Sequence, residues 1–139
     1  MEQDLAADTD RSSAAEAPPS ALLELANAMV SFYKDTLGRG PTRARAYFAG
    51  PDTVVVLLQN TLTVAERNLV ALDEHTRLRD ARVYFQYAVE KELRALAERT
   101  LGRRTVAFVS GIDTRNDVAA EVFTLEPVGK SALARQARY

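Results

Sequence analysis

Leu37-Gly38-Arg39-Gly40-Pro41 decides how this 139-residue chain is read. Two glycines and a proline stop one element and start another, with an arginine displayed between them. On its N-terminal side Leu22, Leu25, Ala26, Met29, Tyr33 and Leu37 recur at steps of three and four, which draws an apolar stripe along a helix. Pro18-Pro19-Ser20 marks the start of that helix, with Ser20 as its expected N-cap, and Gly38 is the expected left-handed C-cap. On the C-terminal side Thr42 to Phe48 alternates. Ala44, Ala46 and Phe48 fall on one face, and Arg43, Arg45 and Tyr47 on the other, as in a strand with one wet face.

Gly50-Pro51-Asp52 supplies a turn, and the β-branched run Thr53 to Leu58 follows. Its lack of alternation predicts a central strand covered on both faces. Thr63 and Glu66 have capping-box spacing, so a helix is expected from about Val64 to Glu74. A longer helix is expected from about Leu78 to Leu101, since Leu78, Phe85, Val89, Leu93 and Leu96 share a face and Glu90, Arg94 and Glu98 stand at i,i+4. Gly102 closes it. Thr105 to Ile112 and Val118 to Leu125 then read as a hairpin linked through Asp113 to Asp117. The predicted order is α-β-β-α-α-β-β, an α+β domain in which one mainly antiparallel four-stranded sheet is backed by helices.

Composition removes several chemistries. The chain has no cysteine, which excludes a disulfide framework, thiol catalysis and thiolate zinc sites. Its longest aliphatic run, Val54 to Leu58, is far short of the ~20 residues a membrane helix needs, so no direct membrane insertion is expected. The first nineteen residues hold five acids and only Arg11, with no apolar region to serve as a secretory signal. Lys130, Arg135 and Arg138 give the last ten residues a basic character. The expected layout is an acidic disordered arm over 1–19, a folded domain over 20–126 and a basic tail over 127–139. The expected location is the cytoplasm.

Each candidate site has a simpler structural reading beside it. Gly38, Arg39 and Gly40 could cradle a small anion, with Arg43 and Arg45 adding positive potential, but Gly40-Pro41 leads into a strand rather than opening a helix. Thr63 and Glu66 are a hydroxyl and a base whose spacing already serves the helix cap. His75, the only histidine, sits at an expected helix end beside Glu74, where the macrodipole favours a cation. It has no partner at metal or triad spacing. Asp113 and Asp117 could hold a hard cation, yet both are common turn formers. Tyr84 and Tyr87 flank the long helix as candidate interface aromatics. Arg43, Arg45 and Tyr47 could stack and pair with RNA, but the RNP pattern is absent, and a pI near 5.9 argues against a phosphate footprint.

Several short motifs occur in a characteristic order: Gly38-Arg39-Gly40-Pro41, a hydrophobic hairpin, Leu62-Thr63 with Glu66, Leu101-Gly102 before Val106, Asp113, and Phe123-Thr124-Leu125. In this order the chain resembles the MpsC-like domain family from about Leu22 to Glu126. That small bacterial domain is linked by name to a sodium-translocating membrane-potential-generating system. The resemblance implies an accessory role rather than catalysis, and association with a separate membrane subunit.

The reading that results is a non-enzymatic accessory or interaction domain that forms a homodimer. Gly38, Arg39, Gly40, Arg43 and Arg45 are its ligand- or partner-binding candidates, and Pro41, Thr63, Glu66, Gly102 and Asp113 its structural positions. A small-anion or nucleotide sensor at the Gly38 to Gly40 turn is the alternative. No catalytic residue, metal or cofactor is assigned, and nucleic acid is not an expected partner.

Overall fold

The structure, a computed structural model, describes residues 19–128. Helix α1 (Pro19–Leu37) is followed by β1 (Arg43–Phe48), β2 (Thr53–Gln59), α2 (Val64–Ala71), α3 (His75–Ala88), α4 (Glu90–Leu101), β3 (Thr105–Asp113) and β4 (Val118–Leu125). The sheet is antiparallel throughout, in the order β1-β2-β4-β3, so the two hairpins lie side by side with β2 paired to β4. This is the α+β architecture predicted. Helix α1 begins at Pro19, one residue before the expected cap at Ser20. The acidic arm up to residue 18 and the basic tail from 129 onward lie outside the described residues.

Strand alternation sorts the sheet into two faces. Val54, Val56 and Leu58 of β2, and Ala119, Phe123 and Leu125 of β4, are buried against Leu25, Met29 and Tyr33 of α1 and Leu93, Leu96, Ala97 and Leu101 of α4. Helices α1 and α4 also pack on each other, α3 and α4 lie against β3, and α2 rests on α3. On the opposite face no side chain is buried among the described residues: Val55 and Leu57 of β2 and Ala120 and Val122 of β4 are half-buried, and Val109 of β3 is 57% exposed. The expectation that β2 is covered on both faces is therefore corrected. Its continuous apolar run supplies one packed face and one open face.

The segment after Leu62 also departs from expectation. Helix α2 stops at Ala71 rather than Glu74, and Asp73 takes a left-handed conformation (φ 62°) that a continuing helix cannot contain. The single helix expected from Leu78 to Leu101 is two helices that meet at Val89 (φ −104°, ψ 20°). Leu78, Arg82 and Gln86 face inward on α3, as do Leu93, Leu96, Ala97 and Leu101 on α4, and Phe85 and Val89 are only half-buried. At 3.6 residues per turn all the inward positions fall on one face of a continuous helix, which is why periodicity alone reads the two helices as one. Arg94 does pair with Glu90 at 3.0 Å, but Glu98 turns instead to the amide and hydroxyl of Thr105, joining α4 to β3.

The opening pentapeptide works as a joint. Gly38 has φ +80°, and its amide donates to the Lys34 carbonyl at 2.9 Å, which makes it the C-cap that was expected. Gly40 serves proximity instead: a Cβ there would lie 3.3 Å from Lys34 Cβ and 3.4 Å from Val30 Cγ1. Gly40→Val should therefore cost roughly 1–3 kcal/mol through overpacking against α1. The midpoint of urea unfolding measures it, and a value within experimental scatter of the unmodified protein would show that the strand can retreat from the helix.

Candidate functional site: a polar network from the sheet end to a buried carboxylate

Glu121 occupies the centre of β4, opposite Val56 on one side and Ser110 on the other, with its side chain on the helix-covered face. It is fully buried. A carboxyl in that place needs donors, and two helices supply them. The Tyr33 hydroxyl of α1 donates a short hydrogen bond to Glu121 Oε2, and Gln86 Nε2 of α3 donates to the same oxygen at 3.2 Å. Gln86 Nε2 also donates a short bond to Ser110 Oγ. Burial pushes the Glu121 carboxyl up to about 7, against the opposing pull of Ser110, Tyr33, Gln86 and the Arg82 charge. Burial, then the neighbouring Glu121 charge, also raises Tyr33 well above the usual phenol range.

Arg82, 2% exposed, carries the network outward. Its guanidinium carbon lies 5.9 Å from the Tyr33 ring centroid, its NH1 donates to Glu66 Oε1 at 3.0 Å, and its NH2 donates to Thr61 Oγ1 at 3.1 Å. Glu66 closes the capping box as well: Oε1 accepts from the Thr63 amide at 2.9 Å, while the Thr63 hydroxyl accepts from the Glu66 amide at 3.2 Å. One carboxylate thus starts α2 and neutralises the buried arginine. Thr61 passes the chain on to Asp117, whose Oδ1 accepts from the Thr61 amide at 2.7 Å and whose two oxygens also receive the Leu62 amide.

The network surfaces at the end of the sheet. Asn60 and Asp117 both sit at positive φ (65° and 55°), and the Asn60 amide donates to the Asp117 carbonyl at 3.0 Å. Arg67 donates to Asn60 Oδ1 at 2.5 Å, and Arg39 Nε reaches the Asn60 carbonyl at 3.4 Å. His75 is the first residue of α3, not the last of a helix, so the expected favourable interaction of a cation with a helix C-terminus does not apply. Its Nδ1 lies 3.2 Å from Thr114 Oγ1 in the hairpin turn. Asp113 accepts from the amides of Arg115 and Asn116 at 3.0 Å, which fixes that turn.

The structure therefore gathers Arg39, Thr63 and Glu66 around one end of the sheet, with His75 and Asp113 at the adjacent hairpin turn. It places Arg43 and Arg45 elsewhere, exposed on the open face of β1. Among the described residues neither makes an ion pair. Gly102 caps α4 with φ 68°. Tyr87 is not a free interface ring: its hydroxyl accepts the Ser110 amide at 3.0 Å and its ring meets Phe108 edge-on, covering the outer edge of β3, whereas Tyr84 is 79% exposed.

Glu121, Arg82 and Gln86 escaped the sequence reading. A signal was present in each case. Glu121 breaks the apolar alternation of Ala119, Phe123 and Leu125 at an inward position. Arg82 and Gln86 continue the i,i+4 row of Leu78.

Chemically, this arrangement can hold and release a proton at Glu121 and keep a guanidinium in the core. The cavity bounded by Glu121, Gln86, Tyr33, Phe85 and Val89 measures about 10 Å³, room for no more than a water-sized group. Among the described residues no three His, Cys, Asp or Glu side chains stand close enough to hold a metal ion, and no helix is long and apolar enough to cross a membrane.

Comparison with known proteins agrees with the motif order. No curated protein and no solved structure matched the chain. Residues 21–127 match the family described as "Na+-translocating membrane potential-generating system (MpsC)". Since that match covers almost all of the described domain, the chain belongs to the MpsC family.

Proposed function

We propose that this domain is a non-enzymatic accessory module of a membrane ion-translocating assembly, acting by docking rather than by turnover. The observation that carries the reading is the open face of the sheet. Its helix-covered face is packed, while the other presents Tyr47, Val55, Leu57, Val109 and Val122 without a buried side chain, beside the exposed Arg43 and Arg45. An apolar area with a charged rim is what an interaction surface requires. The family description supplies the membrane system as the context of that surface.

The polar network has the character of internal scaffolding, since its side chains bond chiefly to one another and its cavity excludes an organic substrate. Arg39 stands at the edge of the docking region, tied to Asn60.

The test is co-sedimentation of the tagged protein with membranes of its own host. The triple variant Arg39→Ala, Arg43→Ala, Arg45→Ala should lose most of the membrane-bound fraction while unfolding at an unchanged midpoint. Undiminished capture by the variant would remove this surface from the assignment.

A further inference from the structure

The open face carries an inference about what covers it while the domain is undocked, and this inference rests on the docking reading above: the two occupants compete for one surface. Strand register lays the face out in rows across β1, β2, β4 and β3. One row is Arg43, Gln59, Val118, Asp113; the next is Arg45, Leu57, Ala120, Gly111; the third is Tyr47, Val55, Val122, Val109. In the first row a cation stands at the β1 edge and an acid at the β3 edge. In the second, long side chains fill the β1–β2 half, while alanine and glycine fill the β4–β3 half. A Cβ added at Gly111 would meet nothing within 4 Å, so the space above it is open.

We propose that a second copy of this chain covers the face, through a two-fold axis lying between the sheets and running along the strands. Such an axis sets β1 of one copy over β3 of its partner and β2 over β4 at the same height, in the aligned packing that sheets prefer about 10 Å apart. Arg43 then meets the partner's Asp113 on both sides. Arg45 lies over the partner's Gly111, Leu57 over its Ala120, and Tyr47 over its Val109. The other in-plane axis, across the strands, sets β1 on β1 and brings the arginines of the two copies together. Charge and side-chain size select the same axis.

Four strands at about 4.8 Å spacing and about 20 Å length offer roughly 400 Å² per copy, about 800 Å² in total, which is below the ~1,200 Å² of stable specific interfaces and in the range of weak, transient ones. The dimer is accordingly weak and depends on concentration. Its rim pairs make it loosen in high salt, whereas the apolar centre keeps part of the affinity.

Sedimentation equilibrium of the full chain, at tens to hundreds of micromolar, tests the association. A monomer–dimer equilibrium is expected, shifted to monomer by Val55→Glu, which places a charge at the centre of an interface but on a half-buried position of the open face in the lone domain. The absence of native cysteine allows the axis to be read by a thiol cross-linker of about 10 Å span, the spacing of stacked sheets. A mixture of Arg43→Cys chains with Asp113→Cys chains should cross-link. Arg45→Cys chains alone should not, since the proposed axis holds the two positions on opposite edges.

A chain that remains monomeric, a dimer indifferent to Val55→Glu, or cross-linking through position 45 each overturns the inference. Thiols on this face that are shielded in a monomer would assign the face to the chain's own tail and overturn it too. Membrane capture is scored separately on the unmodified protein, because position 55 belongs to the face both readings use. A protein that is captured but never dimerises leaves the docking function standing and overturns the dimer, and a dimer that no membrane captures removes that function while sparing the dimer.

Discussion

Arg82→Ala should destabilise the domain by roughly 3–5 kcal/mol, the range for removing one partner of a buried ion pair. The size of the effect follows from how much the guanidinium serves at once. It satisfies Glu66 at the start of α2 and Thr61 just beyond β2, and it lies over the Tyr33 ring of α1. Its loss strands an acceptor on two elements and leaves a void in the core. Arg82→Lys should recover only part of the loss, because an ammonium is a compact point charge and lacks the planar fork that spans two acceptors. Denaturant unfolding gives the free energies. A double-mutant cycle with Glu66→Ala then isolates the ion pair, where coupling of 0.5–3 kcal/mol is expected. A cost below about 1 kcal/mol for Arg82→Ala would mean that the guanidinium is solvated and the network does not hold the elements together.

The second large effect concerns pH. The folded-state pKa of Glu121 is raised, to about 7, above the ordinary carboxylate value of 4.5. Between those two values the folded protein binds more protons than the unfolded chain, so stability falls as pH rises through that window and levels off above about 7. A shift of that size corresponds to roughly 3 kcal/mol, or about 10 °C in the melting midpoint of a domain this small.

Glu121→Gln keeps the shape and removes the ionisation. Its midpoint should therefore exceed that of the unmodified protein at pH 8 and converge on it as pH falls below about 4.5. Glu98 acts in the opposite direction and at lower pH. Burial pushes its carboxyl up, but bonds from the Thr105 hydroxyl and amide outweigh burial and leave it below the ordinary value. Its contribution is present above 4.5 and lost as pH falls through the folded value. A melting midpoint of Glu121→Gln that tracks the unmodified protein across pH 5 to 8 would falsify the placement of an ionisable Glu121 in the core.

The buried network also explains where sequence reading stopped. Local rules reached several features that depend on neighbours in the chain, though not the left-handed Asp73 beyond α2 or the break at Val89. The cap at Gly38, the capping box of Thr63 with Glu66, the alternation of β1 and the turn at Gly50-Pro51-Asp52 are each decided within a few residues. The two hairpins and the single antiparallel sheet follow from them, because a short link leaves a strand little choice but to pair with the strand before it. The motif order extended that reach to the family.

What only the tertiary structure decided concerns groups far apart in sequence. Glu121 gains its helix donors only where Tyr33, eighty-eight positions earlier, and Gln86 are brought to it. Arg82 and Gln86 share the helical face of Leu78, and it is Glu66, Thr61 and Ser110, brought from other elements, that let their polar ends be buried there. The run Thr53 to Leu58 states that β2 is apolar on both faces. It does not state that the helices crowd onto one of them and leave the other open. Periodicity records which side of an element differs from the other, whereas burial depends on what the rest of the chain places against each side.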